Sequence, residues 1–147
     1  MIEFEYTKEA ITLEDLNKFE LEHKVLLPES YKNHLLKDNG GFPVLDMYFG
    51  KFNIPIDSFL PLKYGAQTIE KAIKSLEHVL NKGEIPFART TSGTIFMSLR
   101  EENYGFIYVA YSEWEPNLIA SSFEDFMKGM HENEIWNRKW KNNSWRV

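Results

Sequence analysis

The sequence predicts an α+β domain in which a largely antiparallel sheet has its helices packed mainly on one side. Two observations predict this class: some segments repeat apolar residues at helical spacing, and others alternate apolar with polar residues between tight turns. Strands joined by tight turns pair antiparallel, and such sheets segregate their helices to one face. The chain has 147 residues, 43% of them apolar, and no repeat or linker divides it. We therefore expect a single domain over 1–147, with a core at about 12–130 and an aromatic, basic tail at 131–147.

Two helices are predicted before the first strand. Thr12 is a capping residue followed by acids, and apolar residues then recur at helical spacing. A second helix begins in Leu27-Pro28-Glu29-Ser30-Tyr31-Lys32, because proline suits the first helical position. Tyr31 and Leu35 lie four residues apart, which places them on one face. Asn39-Gly40-Gly41-Phe42 contains residues that tolerate positive φ, so it predicts the helix end.

The middle of the chain changes from strand patterns to a helix pattern. Residues 44–49 predict a strand, and 52–56 alternate apolar with polar residues. Pro55 would force the second of these strands to an edge or a bulge. The amphipathic pattern from Ile69 to Leu80 predicts a helix that ends at Gly83.

The C-terminal half predicts a three-stranded meander and a last helix. Its elements are strands at 85–88, 94–99 and 105–111, a hairpin loop at Thr91-Ser92-Gly93 and a polar turn at 100–104. Ser121 or Ser122 can cap the last helix, whose first turn is acidic. Phe123 and Phe126 lie on one face of that helix, which we expect to pack on the sheet.

The order of these motifs resembles the SUKH superfamily, which includes the fungal Smi/Knr cell-wall regulators and many bacterial immunity proteins. Leu27-Pro28, Tyr31-Lys32 and Asn39-Gly40-Gly41 are similar to the signature of that superfamily. Further similar segments are Ile85-Pro86-Phe87-Ala88, Ile95-Phe96-Met97-Ser98-Leu99, Phe106-Ile107-Tyr108-Val109 and Ile119-Ala120-Ser121-Ser122-Phe123-Glu124-Asp125-Phe126. The resemblance spans roughly Thr12 to Met130. The hairpin loop is shorter than in much of the family, and the tail after Met130 matches nothing in it.

The resemblance implies a non-enzymatic binding domain without a cofactor. Bacterial SUKH proteins are typically encoded beside secreted or contact-delivered toxins, and they protect the producing cell by binding the toxin domain, often a nuclease or a deaminase. We therefore expect an immunity protein that occludes the active site of a cognate toxin. The open alternative is a regulatory protein-interaction module without a toxin partner, as in the fungal relatives.

Charge and composition restrict the partner and the compartment. The chain has 22 acidic and 17 basic residues and a formal net charge of −5, which disfavours nucleic-acid binding and suits a basic protein partner. The alternative explanation of this charge is solubility alone. The absence of cysteine excludes disulfides, thiolate zinc sites and cysteine nucleophiles. Because no signal-peptide pattern is visible and no apolar run reaches the roughly 18 residues of a membrane span, we expect a cytoplasmic protein without membrane contact.

Catalytic and metal-binding patterns are weak in this sequence. The four histidines lack the spacing that places two imidazoles on one helix face. Asn39-Gly40-Gly41 lacks the longer glycine spacing of a phosphate loop, so a helix end is the simpler interpretation. The pairs Glu101/Glu102 and Glu113/Glu115 lie in a predicted turn and after a strand, where solvation keeps their environments alike. We expect no catalytic residue and no metal ligand.

The same carboxylates are better candidates for partner binding. Trp114 flanked by acids has the composition of an aromatic anchor with a charged rim. The candidate contact residues are Asp46, Tyr48, Glu101, Glu102, Tyr104, Glu113, Trp114 and Glu115. Asp46 and Tyr48 belong to this set only if they face outward. The alternative is that Trp114 packs under the last helix and the acids are ordinary surface.

The tail after Met130 interleaves aromatic and basic residues. These residues are Trp136, Arg138, Lys139, Trp140, Lys141, Trp145 and Arg146. Aromatic rings with cations can stack on nucleic acid, but the body of the chain is acidic. Docking of the tail on that body is therefore favoured, and an oligomer contact is a further possibility.

Overall fold

The computed structural model describes residues 2–112 and 115–131, in which four helices pack with antiparallel strands. The helices are α1 (Leu13–His23), α2 (Glu29–Lys37), α3 (Ile69–Ser75) and α4 (123–131). The strands are β1 (Phe4–Glu5), β2 (Phe42–Pro43), β3 (Met47–Phe49), β4 (Asn53–Pro55), β5 (Ser58–Phe59), β6 (Glu84–Thr90), β7 (Gly93–Ser98), β8 (Ile107–Tyr111) and β9 (Asn117–Ala120). This architecture confirms the predicted α+β class.

Five of the strands form one meander in the order β5-β6-β7-β8-β9, and every neighbouring pair is antiparallel. The predicted hairpin between β6 and β7 is confirmed, with Ser92 at φ +61° in its turn. One row of cross-strand partners is buried on the inner face: Phe59, Ala88, Ile95 and Val109. On the opposite face the Phe96 ring stacks on Tyr108 at 5.2 Å, as alternation along a strand requires.

Two short ribbons accompany this sheet. The β1–β2 ribbon joins the β5 edge through a bridge between Gly41 and Phe59. The β3–β4 ribbon pairs Tyr48 with Ile54. Pro55 ends the second strand of that ribbon, so the predicted edge position is confirmed.

The core lies between the inner face of the sheet and the helices. Tyr31 of α2 contacts the rings of Phe87 and Phe123 at 5.7 and 5.1 Å, and Phe126 of α4 meets Phe87 at 5.5 Å. Tyr31 and Leu35 are both buried, as their spacing predicts. Complete burial raises the pKa of the Tyr31 hydroxyl and keeps it protonated.

The helix starts follow local capping chemistry. Thr12 accepts from the Asp15 N–H at 3.1 Å, and Asp15 accepts from the Thr12 N–H at 3.0 Å, which completes a capping box. Ser122 accepts from the Asp125 N–H at 3.0 Å at the start of α4. Pro28 occupies the N-cap of α2, one residue before the position predicted for it.

The segment after α2 has more than the predicted role. Gly40 and Gly41 have φ values of +72° and +107°, so the helix ends where expected. Asn39, however, is buried, and its amide nitrogen donates to the carbonyls of Glu9 and Leu62, both at 2.9 Å. Its amide oxygen accepts from the Leu62 N–H at 2.7 Å. Asn39 therefore ties three chain segments together inside the protein.

Several elements differ from the prediction. α3 ends at Ser75 instead of reaching Gly83, and Val79 beyond it is exposed, because within α3 only Ile69 is fully buried and little apolar packing extends the helix. The predicted strand at 44–49 is reduced to β3, and the Asp46 carbonyl continues its pairing by accepting from the Ile56 N–H at 2.7 Å, in register with the ladder. β1, β5 and β9 were not expected, since two to four residues are too few to show a clear alternation.

Candidate partner-binding surface

The loop between β7 and β8 holds three of the predicted contact residues. The Ser98 hydroxyl at the end of β7 donates to the Asn103 side-chain oxygen, and the Asn103 amide donates to the Tyr108 hydroxyl at 3.0 Å. The Gly105 N–H closes the loop on the Ser98 carbonyl at 2.7 Å. Because these bonds tie the loop to the sheet, the side chains of residues 101–104 project from a well-defined turn.

Tyr104, Glu101 and Glu102 are exposed on this loop, and Leu26 is exposed beside them. The Tyr104 hydroxyl donates to the Leu26 carbonyl at 2.6 Å. Partial burial raises the pKa of Tyr104, and the negative charge of Glu20 adds to the increase. These four residues, Leu26, Glu101, Glu102 and Tyr104, form what we call the Tyr104 surface, which combines apolar area with carboxylates.

The remaining predicted contact residues lie elsewhere. Glu115 is exposed after β8, whereas Glu101 and Tyr104 precede that strand. Since β8 has five residues, it separates the two groups by about 17 Å. Asp46 is exposed at the base of the β3–β4 ribbon. Glu113 and Trp114 lie outside the described residues, as do the tail residues 132–147.

Tyr48 was a candidate contact residue only if it faced outward, and in the structure it faces the core. Its side chain is 3% exposed, its ring stacks on Phe126 at 4.8 Å, and its hydroxyl donates to the Ile119 carbonyl at 2.8 Å. Burial raises its pKa, with Asp125 contributing. The physical reason is strand alternation: Tyr48 is the middle residue of β3 and points toward α4. Tyr48 therefore positions the ribbon, and its side chain does not face outward.

A second exposed surface was not among the candidates. The outward side of the β1–β2 ribbon presents five residues: Glu3, Glu5, Tyr6, Phe42 and Val44. We call this set the ribbon face. The sequence signal that indicates it is the alternation of Ile2, Glu3, Phe4 and Glu5, the period-two pattern of a half-buried strand.

A cavity of about 490 Å³ lies between α2, α4 and β1, and His34 lines it. The imidazole is packed among aromatic rings, with centroids 5.1 Å from Phe4, 5.3 Å from Phe59 and 5.4 Å from Phe123. Burial lowers the pKa of His34 to about 4, and the positive charge of Lys37 adds to this. His34 is thus neutral at pH 7, and it attaches β1 to the core.

Residues 2–112 and 115–131 contain no group of three His, Asp or Glu side chains arranged to hold a metal ion. Within these residues no helix has the length and apolarity to cross a membrane.

A family model matches residues 10–129, which is most of the chain, and it describes the SMI1 / KNR4 family (SUKH-1). The chain belongs to this family. No curated protein matches the chain. In this SUKH-1 domain the Tyr104 surface falls inside the matched residues, whereas β1 and Tyr6 precede them. Membership confirms the resemblance carried by the motifs, and it leaves part of the ribbon face outside the family's shared sequence.

Proposed function

We propose that this SUKH-1 domain is an immunity protein that binds a cognate bacterial toxin domain and occludes its active site. The observation that supports this most directly is the match of the SUKH-1 family model across residues 10–129. The family resemblance implies that the toxin is a nuclease or a deaminase. The protein acts by binding and not by catalysis, in the cytoplasm where the toxin would otherwise act.

The charge of the chain supports a basic toxin surface. With a formal net charge of −5, the chain attracts a cationic partner over distances near the Debye length, which raises the association rate. The exposed candidates Glu101 and Glu102 before β8 and Glu115 after it add negative potential at both ends of that strand, and Asp46 adds a further exposed carboxylate beside β3. Tyr104 offers exposed aromatic area on the same loop as Glu101 and Glu102. We assign Glu113 and Trp114 to the same set from the sequence.

The surroundings of these carboxylates favour binding over acid–base chemistry. Glu101 and Glu102 are exposed on a turn, and Glu102 pairs with Arg100 at 2.8 Å. Acid–base catalysis requires carboxyl groups whose environments separate their pKa values. Two solvated carboxylates on a protruding loop instead suit the charged rim of an interface.

Co-expression tests the proposal directly. The probe is the C-terminal domain of the toxin encoded beside the gene for this chain, expressed in a bacterial host with and without the full chain. We expect rescue of growth and a stable complex in size-exclusion chromatography. Loss of viability with both proteins present, together with no complex, would contradict the immunity function and favour the regulatory module.

A further inference from the structure

Alternation in two short strands turns Glu3, Glu5, Phe42 and Val44 of the ribbon face outward, and Tyr6 follows β1 at φ +55°. Phe4 pairs with Pro43 and Glu5 with Phe42, and the Val44 N–H bonds the Glu3 carbonyl at 2.9 Å. Partners across an antiparallel pair lie on the same side of the ribbon. Phe4 and Pro43 therefore turn inward, whereas the pairs Glu5–Phe42 and Glu3–Val44 turn outward.

The outward side of the β1–β2 ribbon exposes three large apolar side chains. Tyr6 is 77% exposed, Phe42 52% and Val44 50%. The Tyr6 and Phe42 rings contact each other edge to face at 5.9 Å, so the two side chains form one continuous aromatic patch. Contiguous exposed apolar patches rimmed by polar residues mark interaction sites, and tyrosine is enriched among residues that dominate binding energy.

The charged side chains beside this aromatic patch indicate the chemistry of the partner that fits it. Glu3 and Glu5 are exposed beside it on the same side of β1. Within residues 2–112 and 115–131 neither carboxylate takes part in an ion pair, whereas Glu102 of the Tyr104 surface is paired with Arg100. The aromatic faces attract cations as well. A protein surface with exposed Lys or Arg side chains is complementary to both features.

We propose that the ribbon face is the apolar anchor through which this protein binds its basic partner, the toxin domain of the proposed function on which this inference rests. The ring pair of Tyr6 and Phe42 is covered in the complex, and Glu3 and Glu5 contact the basic rim around it. The Tyr104 surface contributes long-range attraction and less of the affinity. β1 and Tyr6 precede the residues that match the family, whereas Phe42 and Val44 of this anchor lie within them.

The decisive experiment measures toxin binding by the full chain and its variants, with isothermal titration calorimetry and the toxin C-terminal domain as the probe. Phe42→Ala and Tyr6→Asn are expected to raise the Kd at least tenfold. Tyr6→Asn preserves the fold, because Tyr6 has a φ of +55° that asparagine tolerates. The matched control is Phe52→Ala in the turn of the β3–β4 ribbon, where Phe52 is 44% exposed; we expect a Kd within twofold of the native chain.

A second measurement isolates the carboxylates. The double variant Glu3→Gln/Glu5→Gln is expected to slow association several-fold at low salt and to flatten the salt dependence of the rate. Amide hydrogen exchange of the complex is expected to protect residues 3–6 and 41–44. Thermal melting of each variant alone establishes that it is folded.

The possible outcomes distinguish a failure of the ribbon anchor from a failure of the proposed immunity function. A native chain that binds its toxin equally well with Phe42 or Tyr6 replaced overturns the ribbon anchor and leaves the immunity function standing. A native chain that does not bind the toxin overturns both. Binding that is lost in Phe42→Ala and Tyr6→Asn but kept in Phe52→Ala supports both.

Discussion

The chain carries two short antiparallel ribbons that use their aromatic side chains in opposite ways. In the β3–β4 ribbon, Tyr48 turns into the core, where it stacks on Phe126 and donates to the Ile119 carbonyl. In the β1–β2 ribbon, Tyr6 and Phe42 turn away from the core and contact each other in solvent. One ribbon therefore uses its aromatic residue to build the fold, and the other leaves its aromatic residues exposed.

The difference comes from what each ribbon meets on its inner side. α4 presents Gly129 to the β3–β4 ribbon, and a Cβ at that position would lie 2.8 Å from the Phe49 carbonyl oxygen. The ribbon can approach only because no side chain is there. The β1–β2 ribbon instead makes its inward contact through Phe4, which meets the Phe59 ring at 4.9 Å. The packing partner, and not the strand itself, decides which aromatic residue is buried.

The substitution Gly129→Ala tests the buried side of this comparison and has the largest expected effect. The added methyl group would overlap the Tyr48 ring and crowd the Phe49 carbonyl, so the ribbon must move. We expect the free energy of unfolding to fall by about 3 kcal/mol, measured by urea denaturation. Alanine also favours a helix interior by about 1 kcal/mol over glycine, so a gain in stability would show that the contact is loose. Lys128→Ala on the same helix is exposed and should change stability by less than about 0.5 kcal/mol.

The pH dependence of stability tests the packing of β1 on the core. His34 packs against Phe4 of β1, and burial lowers its pKa to about 4 from the usual 6.5. The unfolded chain binds the proton more readily than the folded one, so stability is fully present above pH 6.5 and falls as the pH drops toward 4. The expected loss attributable to His34 is about 3 kcal/mol over this window.

The measurement is urea denaturation at several pH values, compared with the variant His34→Phe. Phenylalanine keeps the aromatic packing and cannot titrate, so the variant should lose less stability on acidification than the native chain. His78→Gln serves as the control, because His78 is exposed, and it should retain the native pH dependence. Parallel curves for the native chain and His34→Phe would mean that His34 is solvated.

Local chemistry explains why much of the fold is predictable from the sequence. A capping side chain acts within three or four residues of itself, so Thr12 and Ser122 mark helix starts that the structure confirms. The strands β6, β7 and β8 are long enough for their alternation to show. In contrast, the end of α3 depends on whether the sheet covers its last turn, which no local pattern records.

The candidate site was harder to predict, because it depends on which side chains the fold leaves uncovered. Tyr48 was a candidate only if it faced outward, and it is buried; this burial depends on Gly129, 81 positions further along the chain. Tyr6 and Phe42 were not singled out, because β1 and β2 have only two residues each. Glu101, Glu102 and Tyr104 are exposed as expected, because a polar turn between strands reaches solvent in most folds.

Removing single hydroxyl groups gives a smaller test of the same comparison. Tyr48→Phe deletes the donor to the Ile119 carbonyl and leaves that acceptor unpaired in the core. We expect a loss of about 1.5 kcal/mol. Tyr104→Phe deletes the donor to the Leu26 carbonyl, but there the acceptor lies at an exposed site where water can replace it. The free energy of unfolding is expected to fall by less than about 0.5 kcal/mol in this variant. Equal losses in the two variants would mean that the Tyr104 hydroxyl stabilises the fold as much as the Tyr48 hydroxyl does.

The smallest expected effect is on the exposed ribbon, where two opposing terms nearly cancel. Tyr6→Asn removes the ring contact with Phe42, which costs about 1 kcal/mol. It also relieves the left-handed backbone at φ +55°, a gain of about 1 kcal/mol because asparagine accepts that conformation. We therefore expect the free energy of unfolding, measured by urea denaturation, to stay within about 0.5 kcal/mol of that of the native chain. Tyr6→Ala loses the ring without the backbone relief, so it should be less stable than Tyr6→Asn by roughly 1 kcal/mol. If both variants were strongly destabilised, Tyr6 would be a packing residue like Tyr48, and the contrast between the two ribbons would disappear.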